Sequence, residues 1–270
     1  MVQRAFARPA VSKGFRPGPP MTARLFALAV AACFAGGAAA QDLGTTCNLA
    51  STYDLTVRPD SLSFDRADVA PKSVRMHDGS LSTDGRAVAL RPDEQDRVSL
   101  FEANVRALLP KVKGIASDGV DIAARAVRQE AATAAPGAAA SGELDRVLNA
   151  RVADIKRRIA ASQSTRDWQE DAMREYAQEI VSDIMPLLTQ DVGSEAMQLA
   201  MNGDLQGAAD LRDRVSSVST GAQGRVAAKV TAALRPRVQA LCPQVHQLGE
   251  LQSGLHDASG RPLLLLETGG

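Results

Sequence analysis

The chain has 270 residues, of which 45% are hydrophobic, so it is long enough to form a substantial hydrophobic core. Positions 1–40 hold five of the 31 basic residues and no acidic residue, so removal of that segment leaves 26 basic against 31 acidic residues and a net charge of −5. A negative net charge argues against nucleic acid or an anionic lipid surface as the main partner, because both attract a positive patch. Only five aromatic residues follow position 40, which argues against aromatic-lined ligand clefts.

The first forty residues have the three parts of a secretory signal peptide. After Met21 the chain has one arginine, then a purely apolar run over residues 25–35, then small residues up to Ala40. This pattern predicts export to the periplasm with cleavage between Ala40 and Gln41. We expect translation to begin at Met21; in the alternative, the preceding residues extend the basic start of the signal.

The three cysteines lead to two further predictions. Cys33 follows Val-Ala-Ala, a pattern similar to the site at which bacterial lipoproteins are cleaved and acylated, so a lipid anchor at Cys33 is the alternative to free export. Cys47 and Cys242 stand near the two ends of the remaining chain. In an oxidising compartment an isolated pair predicts a disulfide rather than a metal or catalytic site, and the alternative is two unrelated buried thiols.

Residues 41–91 are predicted to form a small β region. Two Asp-Gly pairs, Asp78-Gly79 and Asp84-Gly85, favour the positive φ angles of type I′ turns, so three short strands in an antiparallel meander follow. Two earlier strands are predicted at 55–57 and 62–64.

From Pro92 to about residue 248 the apolar residues recur at helical spacing. Pro110 is predicted to kink or end the first helix, and Asp118 to begin the second. The Ala-rich stretch 131–141 is predicted to be a linker or elongated turn. The later helices are predicted at 144–159, 166–188, 194–201, 204–218 and 224–242.

The helix at 144–159 has a narrow apolar seam, which is typical of a coiled coil. The seam consists of Leu144, Leu148, Val152, Ile155 and Ile159.

Residues 249–270 are predicted to be a C-terminal tail, in which 261–266 forms a strand that could join the edge of the N-terminal sheet. The predicted fold class is therefore α+β, mainly α, with a small N-terminal antiparallel β-meander and a bundle of long antiparallel helices.

Several of these features together resemble the YggN-like family, proteobacterial envelope proteins grouped as a domain of unknown function. The features are the signal peptide, Cys47, the run Tyr53-Asp54-Leu55-Thr56-Val57, the two Asp-Gly turns, the run Leu108-Leu109-Pro110, and Cys242. The resemblance covers roughly residues 45–250. It implies a periplasmic protein with a small sheet and long helices, and it supplies no activity, cofactor or catalytic residue.

Motifs for nucleotide binding or nucleophilic catalysis are absent from the sequence, which has neither a glycine-rich phosphate loop nor a Gly-x-Ser-x-Gly elbow. His77, His246 and His256 do not have the spacing of a helical zinc motif. His77 beside Asp78 could act as a base or a metal ligand, although polar residues at a hairpin tip are also expected for conformational reasons. No cofactor, metal or catalytic site is predicted.

Two carboxylate pairs could perform acid–base chemistry if they were buried, Asp118 with Asp121 and Glu170 with Asp171. The simpler interpretation is that Asp118 caps a helix, and that Glu170 and Asp171 lie on a solvated face.

Four methionines fall in the helical half: Met173, Met185, Met197 and Met201. They either fill gaps in an alanine-rich core or line a groove for apolar ligands.

The sequence as a whole predicts that the chain is an exported, non-enzymatic structural or interaction protein of the cell envelope. Its mature chain is predicted to have no transmembrane span, and its partner to be an envelope protein or an apolar ligand. The alternative is a carrier or chaperone-like module that binds apolar ligands or client segments between Met-rich helices, and the third hypothesis is a hydrolase.

Overall fold

The computed structural model describes residues 46–268, without the side chains of residues 170–174 and 219. The signal peptide, the cleavage point between Ala40 and Gln41, and Cys33 lie outside these residues. The strands are β1 Leu49–Ala50, β2 Asp54–Val57, β3 Leu62–Asp65, β4 Ser73–His77, β5 Ser80–Thr83, β6 Arg86–Ala87 and β7 Glu267–Thr268. Strands β2 to β6 form a five-stranded antiparallel sheet in sequence order, which confirms the predicted meander.

The Asp-Gly pairs form two of the four turns of this meander, between β4 and β5 and between β5 and β6. Asp78 and Gly79 have φ angles of 47° and 75°, and Asp84 and Gly85 have φ angles of 49° and 74°. Two consecutive positive φ angles define the type I′ turn, whose twist matches that of the strands it connects. The strands then alternate buried and more exposed residues, and the buried face is made by Leu62, Phe64, Val74, Met76 and Leu81.

The helices are α1 Pro92–Ala134, α2 Pro136–Ala140, α3 Glu143–Ala161, α4 Glu170–Met201, α5 Leu205–Gln239 and α6 Cys242–Gln252, with a 3-10 helix at Thr165–Trp168. Glu130 pairs with Arg225, and Asp118 with Arg237, so α1 and α5 run antiparallel. The predicted fold class, α+β and mainly α, is confirmed. Among residues 46–268, no helix combines the length and apolar character needed to cross a membrane.

Pro110 was predicted to kink or end the first helix, and it does not end the helix. It lies inside α1, whose buried stripe continues from Val105 before the proline to Ile115 after it. A proline in a helix costs roughly 3 kcal/mol, and the apolar side chains buried on both sides offset that cost. Pro186 lies inside α4 and Pro236 inside α5 in the same way.

The predicted linker and helix boundaries between residues 131 and 242 also need correction. Residues 131–141 hold the end of α1 and the whole of α2, because small alanines such as Ala134 and Ala135 let neighbouring elements pack closely and are completely buried. The helices predicted at 166–188 and 194–201 form the single helix α4, and those at 204–218 and 224–242 form the single helix α5. Gly203 has a φ of +65° and marks the connection between α4 and α5.

Residues 46–268 form three buried hydrophobic clusters, of which two are large and one is small. The first lies among the helices and includes the seam residues Leu144, Leu148, Ile155 and Ile159 of α3. The second lies between the meander, the start of α1 and the C-terminal tail, where Phe64 packs edge-on against Phe101. A hydrogen bond of 2.8 Å from Val57 N to Gln163 O joins the edge strand β2 to the segment after α3.

The strand predicted at 261–266 was wrong. Leu263 and Leu265 are buried in the second core, but the segment forms no strand. Leu263 N donates to Leu255 O at 2.9 Å, and further on Gln252 Oε1 accepts hydrogen bonds from Leu265 N (2.9 Å) and Leu266 N (2.8 Å). The nearby strand is β7, which pairs antiparallel with β1 in a separate two-stranded sheet instead of extending the meander.

Candidate functional site: the end of a helical hairpin

A disulfide joins the two cysteines of the described chain. Cys47 and Cys242 have a Cα–Cα distance of 5.1 Å and are separated by 195 residues in sequence. Cys242 begins α6, and one turn later His246 donates from Nε2 to the carbonyl oxygen of Cys47 at 2.7 Å. The bond fastens the N-terminal end of the described chain to α6, beside the β1–β7 ladder. Because both cysteines are bonded, residues 46–268 contain no free thiol for nucleophilic or metal chemistry.

His77 has one ring nitrogen committed to the backbone. Its Nδ1 lies 2.6 Å from the carbonyl oxygen of Asp60, so Nδ1 carries the hydrogen and donates it. This bond, together with the negative charge of Asp78 at 3.7 Å, raises the pKa of His77. His246 and His256 lie elsewhere, beside Cys47 and Pro262 respectively. Within the described part of the chain, no three His, Cys, Asp or Glu side chains come together as a metal site.

The carboxylates of Asp118 and Asp121 each bind a cation on a different helix. Asp118 forms an ion pair with Arg237 of α5, and Asp121 accepts a hydrogen bond of 2.6 Å from Lys156 of α3. The prediction that Asp118 caps a helix was wrong, because α1 is continuous through it. Both side chains therefore join helices, as bridging ion pairs do. The side chains of Glu170 and Asp171 lie outside the described ones.

Two acidic side chains were not recognised from the sequence, although they are buried. Glu102 lies on the buried stripe of α1 and accepts a hydrogen bond of 3.2 Å from Gly79 N, which docks a meander turn on the helix. Asp257 accepts bonds from Ser259 N and from the backbone and guanidinium of Arg261. Burial raises the pKa of Asp257, but these hydrogen bonds outweigh it and hold the pKa below its usual value.

The loop end of the α4–α5 hairpin extends past the other helices. On α5, Arg225 lies opposite Glu130, only four residues before α1 ends. On α4, Asp191 accepts a hydrogen bond of 3.0 Å from Gly137 N of α2. Because α5 is antiparallel to α1, its first part runs beyond the end of α1. We define residues 193–214 as the hairpin end; the α5 part of it is about 15 Å long.

Within the hairpin end, the two helices contact each other. Arg214 Nη2 lies 2.6 Å from both carboxylate oxygens of Glu195, and Asp204 caps α5 by accepting from Gly207 N at 2.8 Å. Among the side chains that the structure describes, every hydrogen bond and ion pair of residues 193–214 is made inside the hairpin. Leu211 is buried there, at 5% exposure. The hairpin end is thus a two-helix unit with its own internal contacts.

Large apolar side chains are exposed at this end of the molecule. Met197 is 65% exposed, Met201 73% and Leu205 84%, and Ala196, Ala200 and Ala208 near them are exposed as well. Residues 193–214 contain four acidic and two basic residues, a net charge of −2. The surface of the hairpin end is therefore apolar and mildly acidic.

Residues 47–260 match the model of a protein family described as "Protein of unknown function (DUF2884)". The chain belongs to this family. The match extends from Cys47 through the meander, the helices and Cys242 into the C-terminal tail, so the disulfide and the hairpin end both lie within the DUF2884 region. No curated protein and no solved structure matches the chain.

Of the four methionines in the helical half of this DUF2884 chain, the three with described side chains lie in different surroundings. Met185 packs partly buried against the helical core, whereas Met197 and Met201 are exposed on the hairpin end; the side chain of Met173 is outside the described ones. A cleft beside α6 is open and mainly polar, and its wall includes Arg97, which donates to Ser253 O at 2.5 Å. The exposure of Met197 and Met201 could not be predicted from their spacing in the sequence. It depends on how far α4 and α5 extend beyond the end of α1.

Proposed function

We propose that this protein is exported to the periplasm after cleavage between Ala40 and Gln41, and that it is a YggN-like envelope protein of proteobacteria. The signal-peptide pattern of the first forty residues supports export. The disulfide between Cys47 and Cys242 supports an oxidising compartment, because such bonds persist there and are rare where thiols are kept reduced.

In the envelope, the protein acts as a non-enzymatic interaction module that contacts a partner through the hairpin end. The exposure of Met197, Met201 and Leu205 carries this proposal, since large apolar side chains grouped at the end of a projecting hairpin lose contact with water only when a partner covers them. The former catalytic candidates have structural partners, which supports the same role: His77 donates to Asp60 O, and Asp118 pairs with Arg237.

Site-specific photocrosslinking in the periplasm of the protein's own host tests this role. A photoreactive phenylalanine derivative is placed at Met201 or, as the matched control, at Leu100, which is also helical, apolar and 54% exposed but lies on α1. The proposal predicts a discrete crosslinked product with another polypeptide from position 201 and none from position 100. Equal recovery of both variants from the periplasm with no product at 201, or with the same products at both positions, contradicts the proposal.

A further inference from the structure

We propose that the partner segment bound by the hairpin end is a cationic amphipathic stretch of polypeptide, with one apolar face and flanking Lys or Arg residues. This inference rests on the function proposed above and adds the chemistry of the partner. It follows from the shape, the area and the charge of residues 193–214.

The apolar side chains lie at one end of the hairpin. Met197 and Met201 are four residues apart in α4 and therefore lie on the same face of the helix, and Leu205 begins α5 directly after the connection. Methionine side chains adapt their shape to different apolar surfaces, as they do in proteins that bind varied amphipathic helices. Such a surface fits the apolar face of a helical or extended segment.

The area and the charge of the hairpin end favour a short segment over a second copy of the chain. The exposed fractions of Met197, Met201 and Leu205 correspond to about 400 Å², which is within the range of functional apolar patches on monomers. A second copy bound through the same surface would bring together two hairpin ends that each carry a net charge of −2, and the repulsion between them opposes a dimer. A polypeptide segment with basic residues meets no such repulsion.

The charges select a basic segment. Both basic residues of the hairpin end already have acidic partners, since Arg214 pairs with Glu195 and Arg212 with Asp213. Asp204 and Asp210 form no ion pair with any described side chain, and they give the surface its net charge of −2. Lys or Arg beside the apolar face of a partner would be attracted by these carboxylates, whereas an anionic lipid surface would be repelled.

Methionine-methyl NMR on the mature protein tests the inference with an internal control. Met197 and Met201 report on the hairpin end, while Met76 is fully buried in the second core and reports on the fold. The probes are an amphipathic helical peptide of leucine and lysine, a matched peptide of leucine and glutamate, and a leucine–lysine peptide whose order is scrambled so that it has no apolar face. Saturable shifts of Met197 and Met201 are expected with the first peptide alone, with Met76 unmoved.

Two variants and a control sharpen the measurement. Substituting Met197→Gln, Met201→Gln and Leu205→Gln together removes the apolar surface without touching the core, and should weaken binding of the leucine–lysine peptide by at least about tenfold. Asp210→Asn keeps an acceptor for Gln206 but removes a charge, and should weaken binding about threefold at low salt. Leu100→Gln, which removes an exposed leucine from α1, should leave the affinity unchanged.

Two results with the peptides would overturn the inference: no shifts with the leucine–lysine peptide, or equal binding of the leucine–glutamate peptide. Concentration-dependent shifts of the protein alone would indicate a second copy as the partner and would overturn it too. So would shifts that appear with anionic vesicles but not with peptides. Specific crosslinking at Met201 in cells makes no assumption about the partner's charge. If that crosslinking succeeds while the peptide fails, the inference about charge is wrong and the proposed interaction role stands.

Discussion

Removal of the disulfide should destabilise the protein substantially. Cys47 and Cys242 close a loop with a sequence separation of 195 residues, for which the chain-entropy model gives an upper limit of about 5 kcal/mol. Among the described residues, this N-terminal end is otherwise held by the two-residue ladder of β1 with β7 and by the hydrogen bond from His246 to Cys47 O, so the disulfide is a large part of its attachment. For a domain of this size each kcal/mol changes Tm by roughly 2–4 °C, so the double variant Cys47→Ala/Cys242→Ala should melt about 10 °C lower.

Circular dichroism melting of residues 41–270 under oxidising and reducing conditions provides the assay. The oxidised parent should melt well above the double variant, and the reduced parent should melt close to it, because alanine at both positions changes the buried volume only slightly. Amide hydrogen exchange should accelerate first in the β1–β7 ladder. Melting temperatures of parent and variant that agree within about 2 °C would refute the reasoning, since the entropy term would then be negligible.

Two further predictions concern a turn and a buried carboxylate. Gly79→Ala should lower the free energy of unfolding more than Gly85→Ala does, by about 1 kcal/mol or more in urea denaturation. Both positions have a positive φ, but only at Gly79 would the new Cβ approach a neighbour, Ser99 Oγ at 2.6 Å. Equal losses of stability in the two variants would contradict this reasoning. Asp257→Asn should destabilise the protein at pH 7, where Asp257 is ionised and paired with Arg261. The stabilisation by the carboxylate is complete only above the unfolded pKa of about 3.9, and the difference in stability between parent and variant should vanish as the pH falls through the lowered folded pKa. A stability difference that does not depend on pH would contradict the ion pair with Arg261.

Local patterns in the sequence were sufficient to predict the five-stranded meander, but not the short strand β1. The two Asp-Gly pairs set the turns on either side of β5 without help from the rest of the chain, because their conformational preference is intrinsic. The disulfide also follows from a simple count, as only two cysteines remain after residue 40. In both cases the information lies in a few residues and not in the packing of distant elements.

The helix boundaries depended on tertiary packing and were predicted less well. Pro110 and Pro186 weaken a helix locally, yet buried side chains on both sides keep α1 and α4 continuous. The tail departed from its predicted strand because Gln252 supplies hydrogen bonds to the backbone of Leu265 and Leu266, a contact that no alternation of apolar residues could indicate. Hydrophobic periodicity detects which residues are buried better than it detects where an element stops.

The candidate site could not be located from the sequence for a related reason. The sequence identified Met197 and Met201 as residues of interest, but their spacing is equally consistent with a core, a groove and an exposed surface. The decision depends on the relative lengths of α1 and α5, which is known only when Arg225 is seen opposite Glu130. Exposure at the hairpin end is thus a consequence of how the helices are aligned.

The most direct test of the central claim, an exported and disulfide-bonded envelope protein, is the intact mass of the denatured protein recovered from its own host. The account predicts a chain in the periplasmic fraction that begins at Gln41 and is two hydrogens lighter than the fully reduced sequence, because Cys47 and Cys242 are joined. A chain that retains the first forty residues, is recovered from the cytoplasm and carries free thiols would contradict both the export and the interaction in the envelope that depends on it.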